Sequence, residues 1–202
     1  MTVLESKGRF SFVVLPADFA SPSLHALIET HTTYSTDPTK NIPGDDCYVL
    51  NVAGLMKPDV CLFCCWDVSN LPISDESGTV LLDSRHAEEQ GATLVGCSAL
   101  RVYNPADYPH LVEQQESLEG EVKTMHTLAS YRGKGVGRML MDRLVKEAKA
   151  KGFKTLRLET GTTEHFKAAR SFYQKCGFRK SAVFGPYKAQ QNSLFMERTL
   201  TA

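Results

Sequence analysis

From Gly120 to Leu200 the chain alternates period-two and helical-period hydrophobic patterns with short connections, an order that few folds accommodate. Glu121 to Leu128 alternates and predicts a strand. Gly135 to Lys151 sets Val136, Met139, Leu140, Leu144 and Ala148 on one helical stripe. Lys146, Lys149 and Lys151 gather near its C-terminus, where the macrodipole favours cations, and Gly152 stops it. Thr155 to Thr160 predicts a strand with Leu156 and Leu158 on one side and Arg157 and Glu159 on the other. A second helix, from about Glu164 to Cys176, turns Phe166, Ala169, Phe172, Tyr173 and Cys176 inward and ends at Gly177. Strands at Arg179 to Phe184 and Ser193 to Leu200 close the chain. The expected fold class is α/β, a central mixed sheet flanked by helices.

The first hundred residues give weaker signals. Phe10 to Leu15 predicts a strand, and Ser23 to Tyr34 a helix with Leu24, Leu27, Ile28 and His31 on one face. Val60 to Trp66 and Thr93 to Tyr103 predict further strands. Between them, Asp67 to Gln90 is a long excursion with one short strand at Val80 to Asp83, and Asn104 to Glu119 is an acidic, Pro-broken excursion. The expectation is one domain over 1–202 with insertions near 67–92 and 104–119.

Composition excludes several classes. With 42% hydrophobic and 23% charged residues, the chain is neither collagen-like nor broadly disordered. The longest strongly apolar run, Val60 to Trp66, falls far short of the roughly 20 residues that span a bilayer. Asp18 and the lack of a small-residue cleavage pattern argue against a signal peptide, so a cytoplasmic protein is expected. Cys47, Cys61, Cys64, Cys65, Cys97 and Cys176 are expected to be reduced, in a chain large enough not to need disulfides. Cys61 and Cys64 would point to opposite faces of a strand, and His25, His31, His86, His110, His126 and His165 are scattered, so no metal is expected. The formal net charge of zero hides an asymmetry: Lys123 to Lys180 holds 15 Lys/Arg against 4 Asp/Glu. A polyanionic ligand would sit near this basic third, which carries no recognised nucleic-acid motif.

Arg132-Gly133-Lys134-Gly135-Val136-Gly137 lies between a predicted strand and an amphipathic helix. Backbone N–H groups at a helix N-terminus there converge on one small volume, and the glycines remove the Cβ atoms that would keep a phosphate away. Arg132, Lys134 and Arg138 add positive charge. A tight structural turn would use the same glycines. The loop is not a Walker A motif, because Gly135 follows Lys134 where Ser or Thr is required. Nor is it a dinucleotide fingerprint, since its spacing is G-x-G-x-G.

Two motifs carry a resemblance to a known family. Arg132-x-x-Gly135-x-Gly137 and Ala169-x-x-x-Tyr173-x-x-x-Gly177-Phe178 resemble the signatures of the GNAT superfamily of acetyl-CoA-dependent N-acetyltransferases. Glu121-Val122-Lys123-Thr124-Met125, Leu158-Glu159-Thr160-Gly161, Phe184-Gly185-Pro186-Tyr187 and Ser193-Leu194-Phe195-Met196 look like a largely uncharacterised, mainly bacterial branch. The resemblance implies acetyl transfer from acetyl-CoA to an amine by direct attack in a ternary complex. The coenzyme's pyrophosphate would lie over Gly133, Lys134, Gly135, Val136, Gly137 and Arg138, with Arg132 beside it. Its arm would follow Met125, His126 and Thr127, between splayed strands. Phe166 is a departure, standing where the family often has Asn to hold the arm. A protonated amine must lose a proton before attack, and Glu121 and Glu159 are the carboxylates on strands expected to flank the cleft. Tyr173 is the expected acid for the departing thiolate. The acceptor is a small molecule or a protein amine. The alternative is a non-catalytic acyl-CoA-binding sensor or interaction module.

Overall fold

The computed structural model describes residues 2–4, 12–41, 48–71, 80–82, 84–103 and 119–201. The expected excursion at Asn104 to Glu119 therefore lies outside the described residues, Glu119 apart, as do Cys47, His110 and residues 72–79 of the other excursion.

Seven strands form the main sheet in the order β2-β3-β5-β6-β7-β9-β8. They are β2 (Phe12–Pro16), β3 (Val60–Asp67), β5 (Thr93–Tyr103), β6 (Glu119–Thr127), β7 (Thr155–Gly161), β8 (Arg179–Lys180) and β9 (Ser193–Thr199). A separate two-stranded ribbon joins β1 (Thr2–Leu4) to β4 (Val80–Leu82), so the expected short strand of the first excursion exists and pairs with the start of the chain. The helices are α1 (Pro22–Thr36), α2 (Val52–Leu55), α3 (Val136–Ala150) and α4 (Lys167–Lys175). Among the described residues no helix is long and apolar enough to cross a membrane.

The sheet is antiparallel except where β6 meets β7. That parallel pairing covers only Glu119 to Glu121 against Thr155 to Arg157. Beyond it β6 continues to Thr127 on β5 alone, and β7 continues to Gly161 on β9 alone. The two strands thus splay, opening a cleft in the middle of the sheet.

Tight packing holds this wedge. Val136, Leu140, Met141, Leu144 and Ala148 are the buried stripe of α3, with Met141 in place of the expected Met139, which is only half-buried, and they meet the sheet where Gly96 has no side chain. A Cβ on Gly96 would lie 2.8 Å from the His126 carbonyl oxygen and 2.9 Å from a Val136 methyl. Leu24, Leu27 and Ile28 of α1 pack on the other cluster with Trp66, Leu94 and Cys97. α1 starts cleanly because Ser21 accepts from the Leu24 N–H at 3.2 Å and Pro22 opens the first turn. Its β-branched end is accommodated by Thr30, Thr32 and Thr36, whose hydroxyls donate to the carbonyls one turn back.

Two expectations change. The strand expected at Arg179 to Phe184 pairs only over Arg179–Lys180. Phe184 instead turns inward to Tyr103, Tyr187 and Phe195, and Gly185 bends the chain at φ +56 beneath the Tyr103 ring. The helix expected from Glu164 begins as a 3-10 turn, Glu164–Phe166, before α4 proper. The chain leading into it is gathered by Arg170, whose guanidinium donates to Gly161 O at 2.8 Å and Thr163 O at 2.7 Å.

Candidate functional site

The splay between β6 and β7 opens into a cavity of about 730 Å³. One end is the glycine loop. Gly135 takes φ +91 as the residue before α3, with no side-chain cap on the helix, so the first N–H groups of α3 face outward unsatisfied by any capping side chain. Gly133 is also left-handed at φ +78, and a Cβ on either residue would meet nothing within 4 Å. An uncapped helix N-terminus preceded by a cradle without side chains fits a phosphate group. Arg132, Gly133, Gly135, Val136, Gly137 and Arg138 line this end. Lys134 does not line it and lies over the Tyr131 ring, 4.7 Å from the centroid. Arg138 is held against Asp142 at 2.9 Å.

The middle of the cavity runs between β6 and α4. Met125, His126 and Thr127 form one wall, and Ala168, Ala169, Phe172 and Tyr173 the other. Opposite Ser98 the β6 strand bulges, with Cys97 facing His126 and Ala99 facing Lys123, and Thr124 is forced to φ 49. Beyond the bulge, the β6 edge that β7 has abandoned presents its backbone groups to the cavity. Gly137 permits close approach of Phe172, which sits 3.4 Å from where a Cβ would be.

The carboxylates expected to flank the cleft occupy very different places. Glu159 lines the cavity, and the Ser193 hydroxyl donates to it at 2.9 Å. Burial is the main force raising its pKa above the ordinary carboxylate value; the Ser193 bond and Lys123 act against that rise, and Glu121 adds to it. Glu121 does not line the cavity and is 0% exposed. Tyr103 donates to one of its oxygens at 2.9 Å, Tyr187 donates to the other, and the Lys123 ammonium lies 3.3 Å away. Lys123 also donates to the Tyr48 carbonyl at 2.7 Å and the Tyr187 hydroxyl at 2.9 Å, so this network pins β6 to two loops. Tyr173 is buried on α4 and lines the cavity; burial, with Glu159 and Cys176 nearby, raises its phenol above the usual range and keeps it protonated.

Of the far end, the sequence pointed only to Phe166. His31, Tyr34 and Ser35 arrive from the end of α1 and Asn41 from just beyond it, Tyr48 to Leu50 from the next connection, Phe166 from the turn that follows β7 and Asn192 from the residue before β9. The rings of His31 and His126 meet edge to face at 5.4 Å. Burial first, then His126 and Lys123, pushes His31 down to about 4; burial first, then Arg132, does the same to His126, so both imidazoles are neutral at pH 7. The free cysteines Cys64, Cys65, Cys97 and Cys176 are buried, burial raises their thiol pKa values, and none lines the cavity. Among the described residues no group of His, Cys, Asp or Glu is arranged to hold a metal.

Comparison with known proteins points one way. The model of the acetyltransferase (GNAT) family matches residues 53–178. An IAA acetyltransferase of Azospirillum brasilense is 32% identical over 158 residues, which are 78% of this chain and 80% of that protein. The uncharacterized N-acetyltransferase YsnE of Bacillus subtilis (strain 168) is 33% identical over 111 residues, 55% of this chain and 66% of that protein. Among solved structures, Arabidopsis thaliana NAA60 in complex with acetyl-CoA superposes with a TM-score of 0.61 over 94% of this chain and 99% of that one. At 15% identity that likeness concerns the acyltransferase fold alone.

Proposed function

This chain belongs to the GNAT family of acetyltransferases, and from that premise we propose that it moves an acetyl group from acetyl-CoA to a primary amine by direct attack in a ternary complex, with residues 1–202 acting as one domain. The observation that carries the reading is that one cavity joins the glycine cradle to Tyr173 and Glu159.

Each part of the cavity has a task. The N–H groups from Gly133 to Arg138 receive the coenzyme's diphosphate, with Arg132 and Arg138 adding charge. The free edge of β6 at Met125, His126 and Thr127 offers backbone partners to the amide-bearing arm. Phe166 cannot supply the hydrogen bond an Asn would give, so the grip rests on that edge. Acetyl-CoA supplies the thioester whose acyl carbon the amine attacks. Glu159 takes the ammonium proton, and a carboxylate with a raised pKa is a stronger base than an exposed one. A β6 backbone N–H meets the oxygen that gains charge. As the C–N bond forms and the C–S bond breaks, Tyr173 protonates the leaving sulfur. The second proton of the attacking nitrogen returns to the Tyr173 phenolate, Glu159 releases the first to solvent, and the products are an amide, CoA thiol and one proton. Glu121, sealed beneath two tyrosines, acts as an anchor for β6 and not as the base.

The test is Tyr173→Phe. It keeps the ring contacts with Phe172 and Phe178, so CoA affinity and melting temperature stay unchanged while kcat at pH 7 drops by about 10²- to 10⁴-fold. Unchanged turnover removes Tyr173 from the reaction.

A further inference from the structure

We propose that the acceptor is a small monoamine bearing a flat aromatic ring, seated against His31, Tyr34, His126 and Phe166 with its nitrogen at Glu159. This assignment deepens the transferase reading and rests on it. Three independent features of the far end of the cavity carry it.

The first is the wall itself. Tyr34 lies 6.2 Å from His126 and 6.3 Å from Phe166, both edge to face, and His31 adds its edge-to-face contact with His126. His165 backs Tyr34 at 4.0 Å and Phe166 at 4.7 Å, fixing both rings from behind. Phe166 is locked in turn because its ring lies on Gly161, 2.1 Å from where any Cβ would stand. Rings held at these angles present faces and edges that a further ring can meet by the same geometry. The two imidazoles carry no charge at neutral pH, and the Arg132 guanidinium lies over the Tyr34 ring, 5.5 Å from its centroid, so the charge beside this wall is positive and disfavours a second cation there.

The second is the charge balance. Among the described residues lining the cavity, Glu159 is the carboxylate, whereas Lys123, Arg132 and Arg138 are cations. One amine finds one carboxylate. A polyamine would bring further ammonium groups into a half-dry space beside Lys123, where an unpaired cation is strongly disfavoured.

The third is the closure above the site. Tyr34 and His165 exchange hydrogen bonds with one another's backbone carbonyls at 3.3 and 3.0 Å. Thr163 donates to the Lys40 carbonyl at 3.0 Å, and Asn192 donates to the Asn41 side chain at 2.7 Å. These four bonds stitch the end of α1 and the residues just after it to the connection that follows β7 and the one that leads into β9. With these bonds in place the α1 side of the cavity is held together, which favours a small molecule over a polypeptide tail.

The experiment measures thiol release from acetyl-CoA with four acceptors: 2-phenylethylamine, hexylamine, spermidine and an unblocked tetrapeptide. The expected kcat/KM for 2-phenylethylamine is at least fivefold above each of the others. If any of the other three comes within fivefold of it or exceeds it, the aromatic assignment falls and the transferase reading stands. Release with none of the four but with a broad mixture of amines overturns the aromatic assignment alone, and release with neither overturns the transferase reading as well. Phe166→Leu provides a second readout, because leucine keeps apolar bulk over Gly161 but removes the ring. The ratio of kcat/KM for 2-phenylethylamine over hexylamine is expected to fall about 2- to 10-fold. An unchanged ratio shows that the ring wall does not select the acceptor.

Discussion

Gly135 and Gly152 form a matched pair that isolates the proposed cradle. Both are left-handed, at φ +91 and φ +76, and a Cβ on either would meet no atom within 4 Å. Changing either to alanine therefore introduces backbone strain without a clash, about 1–2 kcal/mol in each case. For a chain of this size that lowers the melting temperature by about 2–8 °C. Only Gly135 stands at the start of α3 facing the cavity; Gly152 follows its other end. A methyl group at Gly135 occupies the space the diphosphate must enter and turns neighbouring N–H groups away. Losing one such charge-assisted bond costs about 1.5–3 kcal/mol, or roughly a 10- to 150-fold rise in Kd. Calorimetric titration with CoA, paired with thermal unfolding, reads both effects. Gly135→Ala should lose stability and coenzyme affinity, and Gly152→Ala only stability. If Gly135→Ala melts lower but binds CoA as the parent does, the cradle has been wrongly located.

Three further outcomes follow from the site. Glu159→Gln should remove an acidic limb from the pH profile of kcat/KM, a limb lying above the ordinary carboxylate value because burial raises this group; a variant retaining that limb points to another base. His31 and His126 are held near 4 in the folded protein, below the roughly 6.5 of an unfolded histidine. The unfolded chain therefore binds more protons between those values, so the stability associated with their neutral state is complete above about pH 6.5 and is lost as pH falls toward 4, by at most about 3 kcal/mol for each. Urea unfolding at pH 7 and pH 5 should show a smaller loss in His31→Gln/His126→Gln than in the parent, and equal losses contradict the assignment. Lys123→Met leaves the Glu121 carboxylate buried without its cation and should cost about 3–5 kcal/mol, seen as a fall in melting temperature of about 6–20 °C. Adding Glu121→Gln should recover part of that fall; no recovery means that Lys123 stabilises by packing alone.

Much of the coenzyme half was legible because its signals are local. Glycines at 133, 135 and 137, an apolar stripe on α3 and alternation in β7 each lie within one short segment. The half proposed for the acceptor was not legible, since its wall is assembled from residues as far apart as Tyr34 and His165. His31 on the apolar face of α1 looks like any core histidine until α1 is stitched to His165 across the cleft. Glu121 and Glu159 read alike as carboxylates on neighbouring strands. What separates them is non-local: Tyr103 and Tyr187 close over one, and the short β6–β7 pairing leaves the other facing open space. Phe184 illustrates the same limit, because its apolar run reads as strand while the ring cluster it joins pulls the chain out of the sheet.

The most direct examination of the central claim is a crystal structure of this chain with CoA. The diphosphate oxygens should lie within hydrogen-bonding distance, roughly 2.7–3.2 Å, of backbone nitrogens between Gly133 and Arg138, with the sulfur near the Tyr173 hydroxyl. A coenzyme whose diphosphate rests elsewhere, leaving that turn empty, contradicts the account at its foundation.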